Sequence, residues 1–231
     1  MIEQLPSLVS AVVNDGFTYF SLQGGAAGGL AAGAVLQPLL RRRLGAARDI
    51  LLEELRSGEK RLPPTQIDEA VAITYRYFRA AQEGAARLNL RLLASVIAGR
   101  ARLSALVADE FLCDADMIAS LRREEIMLLA KLHHAWGSDW LKASSRPNWP
   151  EEAIRWATDQ LAPSVFQDRQ SLEAAAGAIV RTGLLKLVPG TLGFSFSPTP
   201  LLARLASLAP LEAAIAKEPL RRGNGRTGMP A

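Results

Sequence analysis

The 231 residues are 49% apolar and 22% charged, with a formal net charge of +4, 18 Gly, 13 Pro and a single cysteine. That is enough chain to bury a core as one large or two small domains, and it excludes wholesale disorder and collagen-like repeats. Cys113 has no partner for an intramolecular disulfide and is too little for a thiolate metal site, a usage that suits a reducing cytosol.

The sign of the charge is unevenly placed. Residues 1–40 hold Glu3 and Asp15 and no Lys or Arg, and Arg41, Arg42 and Arg43 follow at once. An acidic start ahead of an apolar run does not fit a secretory signal. From Gly16 to Leu40 there are 25 residues without a formal charge, long enough as a helix to cross a hydrocarbon layer of about 30 Å. Gly25, Gly29 and Gly33 recur every fourth residue, with Gly24, Gly28 and Ala32 in parallel register. Such a bare stripe lets another backbone approach, so Gly24, Gly25, Gly28, Gly29 and Gly33 are candidates for membrane or self-association. The same run also reads as a Gly/Ala-rich hairpin in a soluble core. Its spacing fails both G-x-G-x-x-G and G-x-x-x-x-G-K-[ST], which argues against a nucleotide loop. If the run spans a bilayer, the Arg triplet marks the cytoplasmic side. Residues 1–43 are set apart as this segment.

Residues 44–119 read as helical. Leu40, Leu44, Ala47, Leu51 and Leu55 keep helical spacing up to a stop at Gly58. Thr65 is expected to cap a helix that carries Ile67, Val71, Tyr75 and Phe78, is loosened at Gly84, and runs on through Leu88, Leu92 and Val96 towards Gly99. Within it Glu83–Gly99 reads as an amphipathic packing helix with its arginines along solvent, and Asn89 as a residue able to fix pairing in a bundle. A shorter helix is expected from Arg102 to about Leu112, and Asp109, Glu110, Asp114 and Asp116 read as a solvated junction.

From residue 120 the order of elements changes. A helix is expected over Arg122–Trp136, and a second near Glu151, where Asn148 and Glu151 have capping-box spacing and Pro150 suits a first turn. Ser164 and Gln167 repeat the box before a third helix ending at Gly183. Two strands, Leu184–Val188 and Leu192–Ser197, flank a Pro189-Gly190-Thr191 turn, and Thr199-Pro200 open a last helix with Leu201, Leu205 and Leu208.

In this order and hydrophobic pattern, AIVRTGLLKLVPGTLGFSFSPTPLLARLASL and the helices before it, residues 120–210, resemble a winged helix. The whole layout, with its helical front half and NLRLLASVIAG, is similar to prokaryotic proteins of the abortive-infection alpha type, which implies a role in phage defence. The glycine-rich amino terminus lies outside that resemblance. A DNA-reading winged helix lays its third helix in the major groove; the candidate contacts here are Arg169, Gln170, Arg181 and Lys186. With 10 basic and 8 acidic residues over 120–210, the pull on phosphate is slight.

Nothing assembles into a catalytic constellation. His133 and His134 are adjacent on a helix and diverge by about 100°, so they do not share a metal. Ser195 in GFSFS lacks the second glycine of a G-x-S-x-G elbow. No metal, cofactor or small-molecule substrate is implied.

The fold expected is mainly α: a helical amino-terminal and central region, a winged-helix-like α+β module with a small hairpin over 120–210, and a basic disordered tail over 211–231. The function expected is that of a non-enzymatic bacterial interaction or regulatory protein, in the cytoplasm or at the cytoplasmic face of the inner membrane. Its partner would be a protein, itself or a membrane. The alternative is a soluble winged-helix regulator that binds DNA.

Overall fold

In the computed structural model, residues 30–56, 64–103, 106–137, 148–190 and 193–218 are described. Nine α-helices and one two-stranded antiparallel sheet make up these residues. In chain order they are α1 (Leu30–Arg56), a 3₁₀ turn (Pro64–Gln66), α2 (Ile67–Glu83), α3 (Arg87–Leu103), α4 (Ala108–Ser120), α5 (Arg123–Trp136), α6 (Trp149–Leu161), α7 (Arg169–Val180), β1 (Leu185–Gly190), β2 (Gly193–Pro198), α8 (Pro200–Leu208) and α9 (Leu211–Lys217).

The molecule is built around α3, which packs on α1, α2, α4, α8 and α9. Every residue from Leu88 to Arg100 is buried, so α3 has no solvent face. Glu83–Gly99 is therefore not the amphipathic helix with solvent-lying arginines that its sequence suggests: Arg91 and Arg100 are each only 4% exposed, whereas Arg87, at the start of the helix, remains exposed. The covering helices have ordinary apolar stripes, such as Leu44, Ala47, Ile50, Leu51 and Leu55 on α1. α1 is continuous across the boundary at residue 43, with Pro38 inside it.

Gly84 ends α2 outright. Its φ of +97° is a left-handed cap, and its N–H returns to Ala80 and Ala81. What the sequence suggests as one loosened helix is therefore two. Thr65 falls in the 3₁₀ turn, and Gln66 stands at the cap position without a side-chain cap bond to the helix. The helix expected over Arg102–Leu112 is displaced to Ala108–Ser120, because Leu103 closes α3 and Val107 opens α4.

Past residue 120 the elements follow the expected order. α5 opens with Arg122 N–H donating to Glu125 Oε2 at 2.8 Å. α6 has Asn148 at the cap and Pro150 in its first turn, without a side-chain cap bond from Asn148. The cap of α7 is Asp168, not Ser164: its Oδ1 accepts from Ser171 N–H at 2.8 Å, and Asp168 N–H donates to Ser171 Oγ at 3.2 Å. β1 and β2 pair from Leu185↔Pro198 to Gly190↔Gly193.

Residues 211–218 are not part of a disordered tail. α9 packs on α5 and α3 with Leu211 and Ala214 buried, and Glu218 is buried behind it. Residues 219–231 lie outside the described residues, as does the run 16–29. No described helix is long and apolar enough to cross a membrane.

Candidate functional site

Three clusters join charged or polar side chains from different elements across the described core, and two of these centre on α3. Arg91 reaches Glu54 at 3.0 Å on α1, Glu53 at 3.0 Å beside it, and Glu218 at 2.8 Å beyond α9. Lys217 joins Glu54 at 2.7 Å, Ser95 donates to the same carboxylate, and Arg87 adds a bond to Glu218 at 2.9 Å. Burial would push the Glu54 carboxyl up, but hydrogen bonds from Lys217 and Arg91 outweigh it and hold the group below the usual carboxylate range. Glu218 is governed likewise: burial raises it, and Arg87 and Arg91 bring it below. This cluster straps the end of α9 to α1 through α3.

On the opposite side of α3, Arg100 meets Asp114 at 2.7 Å and Glu110 at 2.6 Å, and Arg204 of α8 reaches Asp114 at 2.6 Å. Asp114 is 1% exposed. Of the acids around Cys113, Asp109, Glu110 and Asp116 are exposed as a solvated junction requires, but Asp114 is instead the buried counter-ion of a buried guanidinium. Asp116, for its part, pairs with Arg76.

The third cluster is a junction where α4 meets α5. Asn89 donates to the Ile118 and Leu121 carbonyls at 2.7 and 2.9 Å, satisfying orphan acceptors at the end of α4. Arg181 donates to the Ser120 carbonyl at 2.9 Å and to Glu125 at 3.1 Å, and also bonds the Ala178 carbonyl. Burial raises the Glu125 carboxyl, and the bonds from Arg181 and the Arg122 backbone lower it further, to below the ordinary range.

These contacts bear on the nucleic-acid candidates. Arg181 spends its guanidinium on the junction. Arg169 pairs with Glu173 one turn on, at 2.6 Å. Gln170 is exposed on α7, and Lys186 is exposed on β1 opposite Ser197. Of the glycine stripe, Gly33 lies in the first turn of α1, and Gly24, Gly25, Gly28 and Gly29 lie outside the described residues.

The hairpin offers a different surface. Its pairing register puts Leu185, Leu187 and Pro189 on one face with Pro198, Phe196 and Phe194. The base of this face is buried: Leu185, Phe196 and Pro198. Towards the tip it opens, with Leu187 49% and Phe194 76% exposed. The other face is taken by α6, which packs on β2; Ser195 is buried there, and a Cβ at Gly190 would run into the Glu151 side chain. Phe194 and Leu187 therefore remain as an apolar ladder with no cover among the described residues.

A cleft of about 390 Å³ lies between α5 and the α8–α9 corner, lined by His133, His134, Gly137, Pro210, Leu211 and Glu212 among others. His134 stacks on Trp156, rings 5.8 Å apart, and faces Glu212 at 3.4 Å. Burial lowers the His133 imidazole below its ordinary value, against the pull of Glu212. Among the described residues no three His, Cys, Asp or Glu side chains are grouped to hold a metal ion.

Compared with models of known protein families, with curated proteins and with solved structures, the chain matches none.

Proposed function

We propose that this chain is a non-enzymatic interaction protein whose residues 120–210 are a winged-helix-like module, and that this module binds a protein partner through the outer face of its hairpin. One observation carries the reading: Leu187 and Phe194 continue the buried face of the hairpin into solvent, as large apolar anchors do at protein interfaces. The helix that would read DNA argues the other way, because Arg169 and Arg181 are engaged with Glu173 and Glu125. The succession of three helices, hairpin and closing helix supports the module assignment.

The test is a photo-crosslinking amino acid placed at position 194 and, as control, at exposed Ala174 on α7, with crosslinking in cells. The expected result is a discrete protein adduct from position 194 that Leu187→Asp removes and that position 174 does not give. Absence of an adduct at 194, or adducts to DNA from 174, would overturn the proposal in favour of the DNA-binding alternative or neither.

A further inference from the structure

Three guanidinium groups from two helices converge on one residue just beyond α9. Arg87 holds the Glu218 carboxylate side-on, its Nε 2.9 Å from Oε2 and its Nη2 3.2 Å from Oε1. Arg91, four residues along the same helix, adds Nη2 at 2.8 Å and Nε at 3.1 Å, both to Oε1. Arg123, in the first turn of α5, donates through Nη2 to the Glu218 backbone carbonyl. Residues four apart share one side of a helix, so Arg87 and Arg91 address the same spot and α5 supplies the third cation.

Planar, permanently charged forks aimed at one group of oxygens are how proteins take up phosphate. Glu218 fills this arrangement incompletely. Its two carboxylate oxygens serve Arg87 and Arg91, and the Arg123 Nε is buried with no hydrogen-bond partner. A stranded donor favours a ligand with more acceptors than a carboxylate carries. The charge points the same way. Arg87, Arg91, Arg123 and Lys217 stand around Glu53, Glu54 and Glu218. With Glu218 withdrawn, four cations face two carboxylates, and a dianion restores the balance.

Withdrawal asks little of the fold. Glu218 follows a seven-residue helix with two buried residues, Leu211 and Ala214, so lifting its last turn uncovers little apolar surface. Arg91 stays in place meanwhile, because Glu54 holds it at 3.0 Å from α1. The Arg87 side chain is 52% exposed, which leaves the ligand a way in.

We propose that Arg87, Arg91 and Arg123 form a binding site for a small phosphate dianion, and that Glu218 is the tethered carboxylate that closes it. The phosphate takes over the bonds to Arg87 and Arg91 and still has an acceptor for Arg123. The site lies on α3 and α5 and stands independently of the hairpin's partner.

The experiment is calorimetric titration of the full chain with inorganic phosphate, set against sodium chloride of equal ionic strength. Wild type is expected to bind weakly. Glu218→Gln, which removes the competing charge, should bind at least about tenfold more tightly, the factor by which a site open a tenth of the time is masked. Arg87→Gln in that background should abolish the gain, and Arg79→Gln, at an exposed cation on α2, should leave it. A second reading needs no variant: in wild type, phosphate should speed amide exchange at residues 211–218 relative to chloride, because it displaces the end of α9. Equal phosphate affinity in wild type and Glu218→Gln, a gain that survives Arg87→Gln or is lost with Arg79→Gln, or exchange at 211–218 that phosphate leaves unchanged would each overturn the proposal.

Discussion

In α3 the guanidinium groups of Arg91 and Arg100 lie inside the molecule, each held between carboxylates from other elements. Around α7, Arg169 and Arg181 keep about half of their side-chain surface in solvent and pair with a neighbour on the same helix and with Glu125. The same residue type is thus a structural necessity in one helix and largely a surface group in the other. A buried ion pair adds little net stability over an apolar pair, yet losing one partner strands a charge in a low-dielectric interior. An exposed pair, screened by water, is worth a few tenths of a kcal/mol.

The comparison can be broken most forcefully at Asp114. Asp114→Ala leaves Arg100 buried with Glu110 alone and should destabilise the protein by about 3–5 kcal/mol, read from urea unfolding; a loss as small as that of a surface pair would refute the burial argument. Gly99→Ala probes the same helix through packing. Its Cβ would sit 2.6 Å from the Leu208 carbonyl oxygen, so α8 must move, at a cost of about 1–3 kcal/mol. Asn89→Ala, which removes the side-chain donor to the Ile118 and Leu121 carbonyls inside the core, should cost about the same, 1–3 kcal/mol.

Acid sharpens the contrast further. His133 is held below its ordinary 6.5 by burial, so the fold favours the neutral ring. Its contribution is complete above that pH and is lost as pH falls through the lowered folded value. Glu54, Glu125 and Glu218 lie below their ordinary 4.5, so their contribution is complete above 4.5 and is lost as pH falls through the folded values. The urea midpoint should therefore fall in two stages on acidification, with His133→Ala removing the first and Glu54→Gln reducing the second. The smallest effect is expected on α7: Arg169→Ala should change stability by no more than about 0.5 kcal/mol.

Much of the carboxyl-terminal half was legible because its signals are local. Pro150, the Leu201–Leu205–Leu208 spacing and the alternation of Phe194, Ser195, Phe196 and Ser197 each act within a turn or a strand. The middle was harder, since its elements are set by tertiary burial. One signal was nonetheless present: Arg91 and Arg100 are nine residues apart, hence half a turn out of phase on a helix, so both cannot lie along one solvent stripe. α9 is not legible in the sequence because two buried residues in seven give no period, and its anchor is Glu218 on the far-off Arg91. The hairpin's two faces could be read from alternation, but which face stays open depends on where α6 packs, and no strand pattern encodes that.

The central claim is that Arg169 and Arg181, engaged with Glu173 and Glu125, do not make a DNA-reading face. It is tested most directly by titrating the full chain with duplex DNA over 50 to 200 mM salt, wild type beside Arg169→Ala and Arg181→Ala. We expect feeble binding without sequence preference, equal in all three proteins. A tight complex that weakens by about 10³-fold or more across that salt range and is lost in either variant would contradict it.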